Sequence, residues 1–335
     1  MSTRTARLAL VLVAACGGGD DGGDADGNSG GDGNGGGDGG ASKWAASTAT
    51  PGGVIQETAA VALAGKIWML GGLTSFTDYS DEVWVFDTAT STWSAGPDLP
   101  MRVHHANAAV VGDSIYVVGA LATGFNAIGN VWRHTPGVDT GWVARASMPA
   151  GTQRGASIVG VIGGRIYVAG GFRNNAAVAD VSSYDPVGDT WDDTVADLPS
   201  QRDHGCGAVI GDKLYVAGGR MATIGSTTNT LHELTPGAGW TTRAPMPTAR
   251  GGTACGVIDG TLYVVGGEGN PDAPSGVFPQ NEAYTPATNS WETLEPMRTP
   301  RHGMQAAVWN NILYVPGGAT TQGLGAVDTH ETFTP

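Results

Sequence analysis

The chain has 335 residues, 41% of them hydrophobic and 14% charged, enough to bury a large core in one domain or two ordinary ones. Its net charge of −14 and pI near 4.7 repel phosphate backbones and anionic bilayers, which excludes nucleic acid and membrane surfaces as partners of the folded part. Glycine, at 55 residues without a collagen period, leaves either disorder or a fold made of turns.

In chain order the first elements belong to no core. Arg4 and Arg7 precede an apolar run, Leu8 to Ala15, which is too short to span a bilayer and suits a signal-peptide core. It ends in Val13-Ala14-Ala15-Cys16. Small residues directly before a cysteine resemble the lipobox of bacterial lipoproteins. The resemblance implies cleavage before Cys16 and acylation of that cysteine. The protein would then be exported and anchored by its lipid alone, in the outer membrane at the cell surface, since Gly17 rather than Asp follows. Residues 1–15 are thus expected to be a signal peptide, and 16–40 a Gly/Asp-rich tether with nothing to bury. Its aspartates lack the nonapeptide spacing of calcium repeats.

From residue 41 onward one unit recurs six times. Strands that stop on small residues end at Gly72, Ala120, Gly171, Gly219, Gly267 and Gly318, at intervals of 48, 51, 48, 48 and 51 residues. Before most of them a two-residue turn of the kind tight hairpins require joins a further apolar run, as at Gly163-Gly164, Asp259-Gly260 and Asn310-Asn311. After the glycines come a third strand such as VSSYDP and a tryptophan 20 to 24 residues on: Trp93, Trp142, Trp191, Trp240 and Trp291. Four short antiparallel strands, and no helix, account for each unit.

A double glycine, a tyrosine and a tryptophan in a period near 50 residues resemble the kelch repeat, over residues 41–335. The resemblance implies an all-β fold: a six-bladed β-propeller with four antiparallel strands per blade. The blades fall near 54–98, 103–149, 154–199, 202–247, 250–297, and 301–335 plus 41–50. A WD-type propeller is excluded, because only Trp191-Asp192 shows its dipeptide and does so in the wrong strand. The sixth copy stops before its tryptophan, while Trp44 stands unclaimed ahead of the first. The N-terminal segment is therefore expected to supply the fourth strand of the C-terminal blade and close the ring. Such a ring needs no second copy, and a monomer is expected.

The face carrying the longer loops is the candidate binding face. Arg154, Arg202, Arg250 and Arg301 each lie 16 residues before the first glycine of their pair, and His104, His105, His204 and His302 sit beside this register. In a kelch propeller the following strand is innermost, so these residues should ring the channel mouth. There they would form a cationic rim for a carboxylate or sulfate. Against this, repetition in four copies favours a structural task for most of the arginines. Glu57 and His104-His105 break the symmetry, as function on a symmetric scaffold requires. The longest loop, in the fifth copy, runs on from Glu268 and carries Phe278, which either anchors it or meets a ligand, with anchoring favoured. Phe76 and Tyr79 offer surfaces for stacking on sugar rings.

Kelch propellers include a copper oxidase and a sialic-acid epimerase. The oxidase pattern is missing: there is no Tyr-His dipeptide, and beyond Cys16 only Cys206 and Cys255 occur, in apolar first strands. Buried thiols fit them better than copper; the offset of one register step argues against a disulfide, which an oxidising compartment would otherwise permit. His104-His105 is too close a pair to share one zinc, and no third ligand is evident, so no metal and no cofactor is expected. The reading is a binding module for an unknown protein or glycan partner. The alternative is a sugar-active enzyme of the epimerase kind, using Glu57, His105 and His204 as acid and base.

Overall fold

The computed structural model describes residues 42–335 apart from residue 222; the expected signal peptide, Cys16 and the expected tether lie outside the described residues. Six four-stranded antiparallel sheets stand as the blades of a β-propeller. A single 3-10 turn, Thr123–Phe125, is the helical content of the described residues. From the axis outward, the first blade is Ala59–Leu63, Lys66–Ser75, Asp78–Asp87 and Thr92–Ala95. The inner strands of the second to fifth blades are Ala108–Val111, Ile158–Ile162, Cys206–Ile210 and Ala254–Ile258. The sixth blade joins Ala307–Trp309, Ile312–Pro316 and His330–Phe333 to the N-terminal strand Trp44–Ala46, in which Trp44 pairs with Phe333 and Ala46 with Glu331. The expected closure is present.

The hairpin turns form as their residues dictate: Gly163-Gly164 and Asn310-Asn311 hold φ of 58° and 78°, and 49° and 60°. The core lies between blades rather than at one centre. Ile158, Tyr167, Ala169 and Val181 of the third blade pack against Leu214, Val216 and Leu234 of the fourth, and neighbouring pairs repeat the arrangement. The six repeat tryptophans, one per blade, each donate an indole N–H to a carbonyl of the preceding blade. Trp93 reaches Thr48 O at 2.9 Å, Trp191 reaches Ala146 O at 2.9 Å, and Trp44 reaches Glu295 O at 3.0 Å, completing the set.

The double glycine has a steric cause. A Cβ on Gly170 would lie 2.5 Å from Arg202 O, and one on Gly218 2.7 Å from Arg250 O, each a carbonyl of the next blade. The second glycine donates its N–H to the same carbonyl: Gly171 to Arg202 O at 2.8 Å and Gly219 to Arg250 O at 2.9 Å. Close approach and a positive φ together leave room for glycine alone.

Two expectations are corrected. Cys206 and Cys255 are joined by a disulfide, with Cα atoms 5.8 Å apart. Position along each blade does not measure distance between blades: neighbouring inner strands lie side by side, and the first residue of one comes level with the second of the next. The four arginines do not line the channel mouth. Arg154, Arg202, Arg250 and Arg301 are 0% exposed and turn into their own blades. Arg154 donates to Gly170 O at 2.9 Å, Thr152 O at 2.7 Å and Val168 O at 2.9 Å; Arg250 does the same with Gly266 O and Val264 O and pairs with Glu282. Each guanidinium satisfies carbonyls that the glycine turn leaves without partners.

Candidate functional site

The two residues after each arginine position build the site. The first of them bridges to the residue following the glycine pair of its own blade, giving the pairs Gln56–Leu73, His104–Leu121, Gly155–Phe172, Asp203–Arg220, Gly251–Glu268 and His302–Ala319. The second has left-handed backbone in all six blades: Glu57, His105, Ala156, His204, Gly252 and Gly303, with φ between 52° and 64°. Their backbones form a closed ring around the axis. Each N–H donates to the carbonyl of the preceding member, from Glu57 to Gly303 O round to Gly303 to Gly252 O, at 2.5 to 3.0 Å. Left-handed backbone is costly for non-glycine residues and persists where the surroundings over-determine it. Here six hydrogen bonds do so.

Only Glu57, His105 and His204 project functional groups from this ring. His105 Nε2 lies 3.1 Å from Glu57 Oε2, and the imidazoles of His105 and His204 meet edge to face with centroids 4.6 Å apart. A Cβ on Gly303 would lie 2.5 Å from Glu57 Oε1, so that glycine makes room for the carboxylate. Above the ring opens a funnel of about 170 Å3, walled by Leu73, Phe76, Leu121, Phe125, Phe172 and Ile224 and reached by Arg220 and Glu268. Below it a throat of about 50 Å3 continues between Thr58, Ser157, Thr253 and Gln305.

The supporting shell is charged and tightly paired. Arg220 holds Asp203 at 2.9 Å and Glu268 at 2.6 Å. Its Nη2 lies 2.7 and 2.9 Å from the two ring nitrogens of His204, a spacing that sets it over the ring rather than in line with either lone pair. Asp203 Oδ1 accepts from His204 Nδ1 at 2.6 Å. Burial alone would raise Asp203 and Glu268, but His204 and Arg220 beside the first, and His302 and Arg220 beside the second, hold both below the usual carboxylate range. Burial pulls His104 down to about 4 and, with neighbouring charges, His105 well below its ordinary value.

The sequence-predicted residues divide accordingly. Glu57, His105 and His204 converge. His104 is buried behind His105, stacked on Tyr79 with centroids 4.7 Å apart, so Tyr79 is no free sugar platform. His302 is buried, with Nδ1 3.4 Å from Glu268 Oε2 and no hydrogen-bond partner at that nitrogen. Phe76 is 53% exposed on the funnel rim, whereas Phe278 is 7% exposed and anchors its loop. Arg220 and Asp203 were not singled out from sequence. A signal existed: the row after the glycine pairs reads Leu73, Leu121, Phe172, Arg220, Glu268, Ala319, and its two charges stand out.

Comparison with known proteins agrees with this architecture. The model of the KLHDC2/KLHL20/DRC7 Kelch-repeats domain matches residues 40–219, and a Kelch motif matches residues 249–298. Kelch-like protein terF of Aspergillus terreus (strain NIH 2624 / FGSC A1156) is 33% identical over 297 residues, covering 84% of this chain and 64% of its own length. Kelch-like protein 35 of Mus musculus is 28% identical over 148 residues, 44% of this chain and 24% of its own. The chain thus spans less than two thirds of these curated relatives. Among solved structures, YjhT superposes with a TM-score of 0.73 over 86% of this chain and 97% of that one, at 18% identity, a likeness of fold alone. The domain match covers more than half of the sequence and coincides with the repeat read from its glycines and tryptophans: the chain belongs to the kelch-repeat family.

Proposed function

We propose that this propeller is a ligand-binding module whose funnel takes a small polar molecule with an apolar face, of the carbohydrate class, at the end of a glycan or free. The observation that carries this reading is the asymmetric floor. Six equivalent positions close the axis, and three of them put Glu57, His105 and His204 beneath aromatic walls. Carboxylate and imidazole groups hydrogen-bond hydroxyls, and Phe76, Phe125 and Phe172 supply faces on which sugar C–H groups pack. Three carboxylates, Glu57, Asp203 and Glu268, stand against one guanidinium, Arg220, which disfavours an acidic ligand. A glycan array probed with the purified chain tests the reading. Binding should fall at least ~10-fold in Phe172→Ala and Glu57→Gln and stay unchanged in Val187→Ser on the outer surface. Binding indifferent to both funnel changes would sink it.

A second reading, sugar-active catalysis, is favoured by the 3.1 Å approach of Glu57 to His105, a pair able to pass a proton. Its mark would be turnover of a free sugar, followed by NMR and lost in Glu57→Gln. We also propose export and lipid anchoring through Cys16. The Cys206–Cys255 bridge supports an oxidising compartment. Cys16→Ser should move the protein from the membrane to the soluble fraction, and its retention in the membrane would refute the anchor.

A further inference from the structure

We propose that Glu57, His105 and His204 form a site for a divalent first-row transition-metal ion, of the zinc or iron(II) kind, on the axis of the propeller. One oxygen and two nitrogens from these residues lie within 4.8 Å of one another. Two imidazoles and one carboxylate are the donor set such ions take, with the remaining coordination positions left to water or ligand. Ligands around a tetrahedral zinc stand about 3.4 Å apart, so side-chain shifts on the order of 1 Å would close the set.

The hydrogen bonds around the three residues argue that their converging atoms are bare acceptors. A carbonyl oxygen, Ala122 O, faces His104 Nε2, which must therefore carry a proton. Neutral His104 then accepts at Nδ1, so the bond between the two Nδ1 atoms takes its proton from His105. That leaves His105 Nε2 with a lone pair, 3.1 Å from a carboxylate oxygen of Glu57. On the other side, Asp203 Oδ1 can only accept, so His204 Nδ1 donates and its Nε2 is the nitrogen left to ligate. Two lone pairs facing each other at this distance repel unless a positive charge joins them. A metal ion meets that demand for all three atoms at once.

The surroundings match. Asp203 on His204 and His104 on His105 are the outer partners that fix tautomer and ring direction in metal sites. Arg220, the one Arg or Lys beside the set among the described residues, is matched by Asp203 and Glu268 and lies over the face of His204, away from the in-plane lone pair. Ala156, Gly252 and Gly303 complete the ring without side chains that could occupy the centre. The ion's open positions would face the funnel, where a ligand hydroxyl could reach them. The site shares its floor with the ligand-binding reading but does not depend on it, and its test uses the metal alone.

The test is a titration of the untagged full chain, freed of metal by chelator, with Co2+ as a coloured probe and Zn2+ as competitor. One Co2+ per chain is expected, giving saturable visible bands of the kind nitrogen ligation produces, displaced by Zn2+. Affinity should fall at least ~10-fold in Glu57→Gln and in His204→Asn, with circular dichroism showing both variants folded. Aspartates of the N-terminal run offer oxygen only and would give weak bands insensitive to these changes. X-ray absorption of the Zn2+ form should report two imidazoles. Should a variant fail to fold, that count on the unaltered chain decides the matter. The absence of saturable bands, bands surviving both substitutions, or a coordination shell of oxygen alone would overturn the proposal, whatever the glycan array reports.

Discussion

Replacing Trp44 by alanine should unlatch the ring. Trp44 is 1% exposed, packs on Phe333 with centroids 5.0 Å apart, and donates to Glu295 O at 3.0 Å. Truncating a buried aromatic of this size costs about 3–5 kcal/mol. A domain of this size has roughly 0.6 kcal/mol/K of unfolding entropy, so Tm should drop by roughly 5–8 °C. The change also loosens a strand only three residues long, whose pairing with His330–Phe333 is what closes the ring. Trp240→Ala is the control: it removes the same kind of hydrogen bond, to Ala196 O at 2.8 Å, from a half-buried tryptophan in a blade whose strands are continuous in sequence. Thermal and denaturant unfolding of both variants, followed by near-ultraviolet circular dichroism, measure the difference. If Trp44→Ala costs no more than Trp240→Ala, closure by the N-terminal strand does not limit stability and the reasoning fails.

Other expectations follow from single groups. Burial would raise Glu233, yet Arg243, Lys213 and Tyr215 outweigh it and hold its carboxyl down to about 2. Its folded value is depressed, so its stabilisation is complete above the unfolded value near 4.5 and disappears as pH falls from there towards 2, at most about 3 kcal/mol; Glu233→Gln should flatten that part of an acid-unfolding curve. Reducing the Cys206–Cys255 bridge reopens a loop of 49 residues, for which chain entropy gives about 4 kcal/mol, visible as a lower Tm in dithiothreitol. Arg250→Ala leaves Glu282 and two carbonyls buried without their partner and should cost about 3–5 kcal/mol in denaturant unfolding; a stable variant impaired only in ligand binding would contradict its structural role. Gly303→Ala drives a Cβ into Glu57 and should weaken Co2+ binding, whereas Gly252→Ala, with a similar φ and nothing nearer than 3.4 Å, should weaken it little.

Period and closure could be read from spacing because the blade is steric: a glycine is needed at the first position of the pair wherever the next blade's carbonyl crowds it, while the second position admits Ala120, and a tryptophan is needed wherever an indole must reach back. Unclaimed Trp44 then had one place to go. Arg154, Arg202, Arg250 and Arg301 misled for a reason of side-chain direction. Position 16 before the glycines marks the right turn, but there the side chain enters the blade while its backbone carbonyl meets the neighbour. The axis is faced two residues later, after the chain turns left-handed, and φ is not visible in residue identity when Glu and His occupy the position. Cys206 and Cys255 misled because register within blades carries no distance across them.

The ring itself explains why those residues are informative. Blades five and six place glycine at the left-handed position, where it costs least, while blades one, two and four place Glu57, His105 and His204. Each non-glycine residue held there costs about 1 kcal/mol or more. A scaffold selected for stability alone would use glycine throughout, as the double-glycine positions nearly do. Blade three holds Ala156 there at the same cost, so strain alone marks nothing; three polar side chains aimed at one point and backed by Asp203, His104 and Arg220 are the mark of a site whose function outweighs its strain. Glu57→Gly should accordingly leave the propeller at least as stable in denaturant while abolishing Co2+ binding. A loss of stability comparable to that of Trp44→Ala would show instead that Glu57 is a structural residue of the ring.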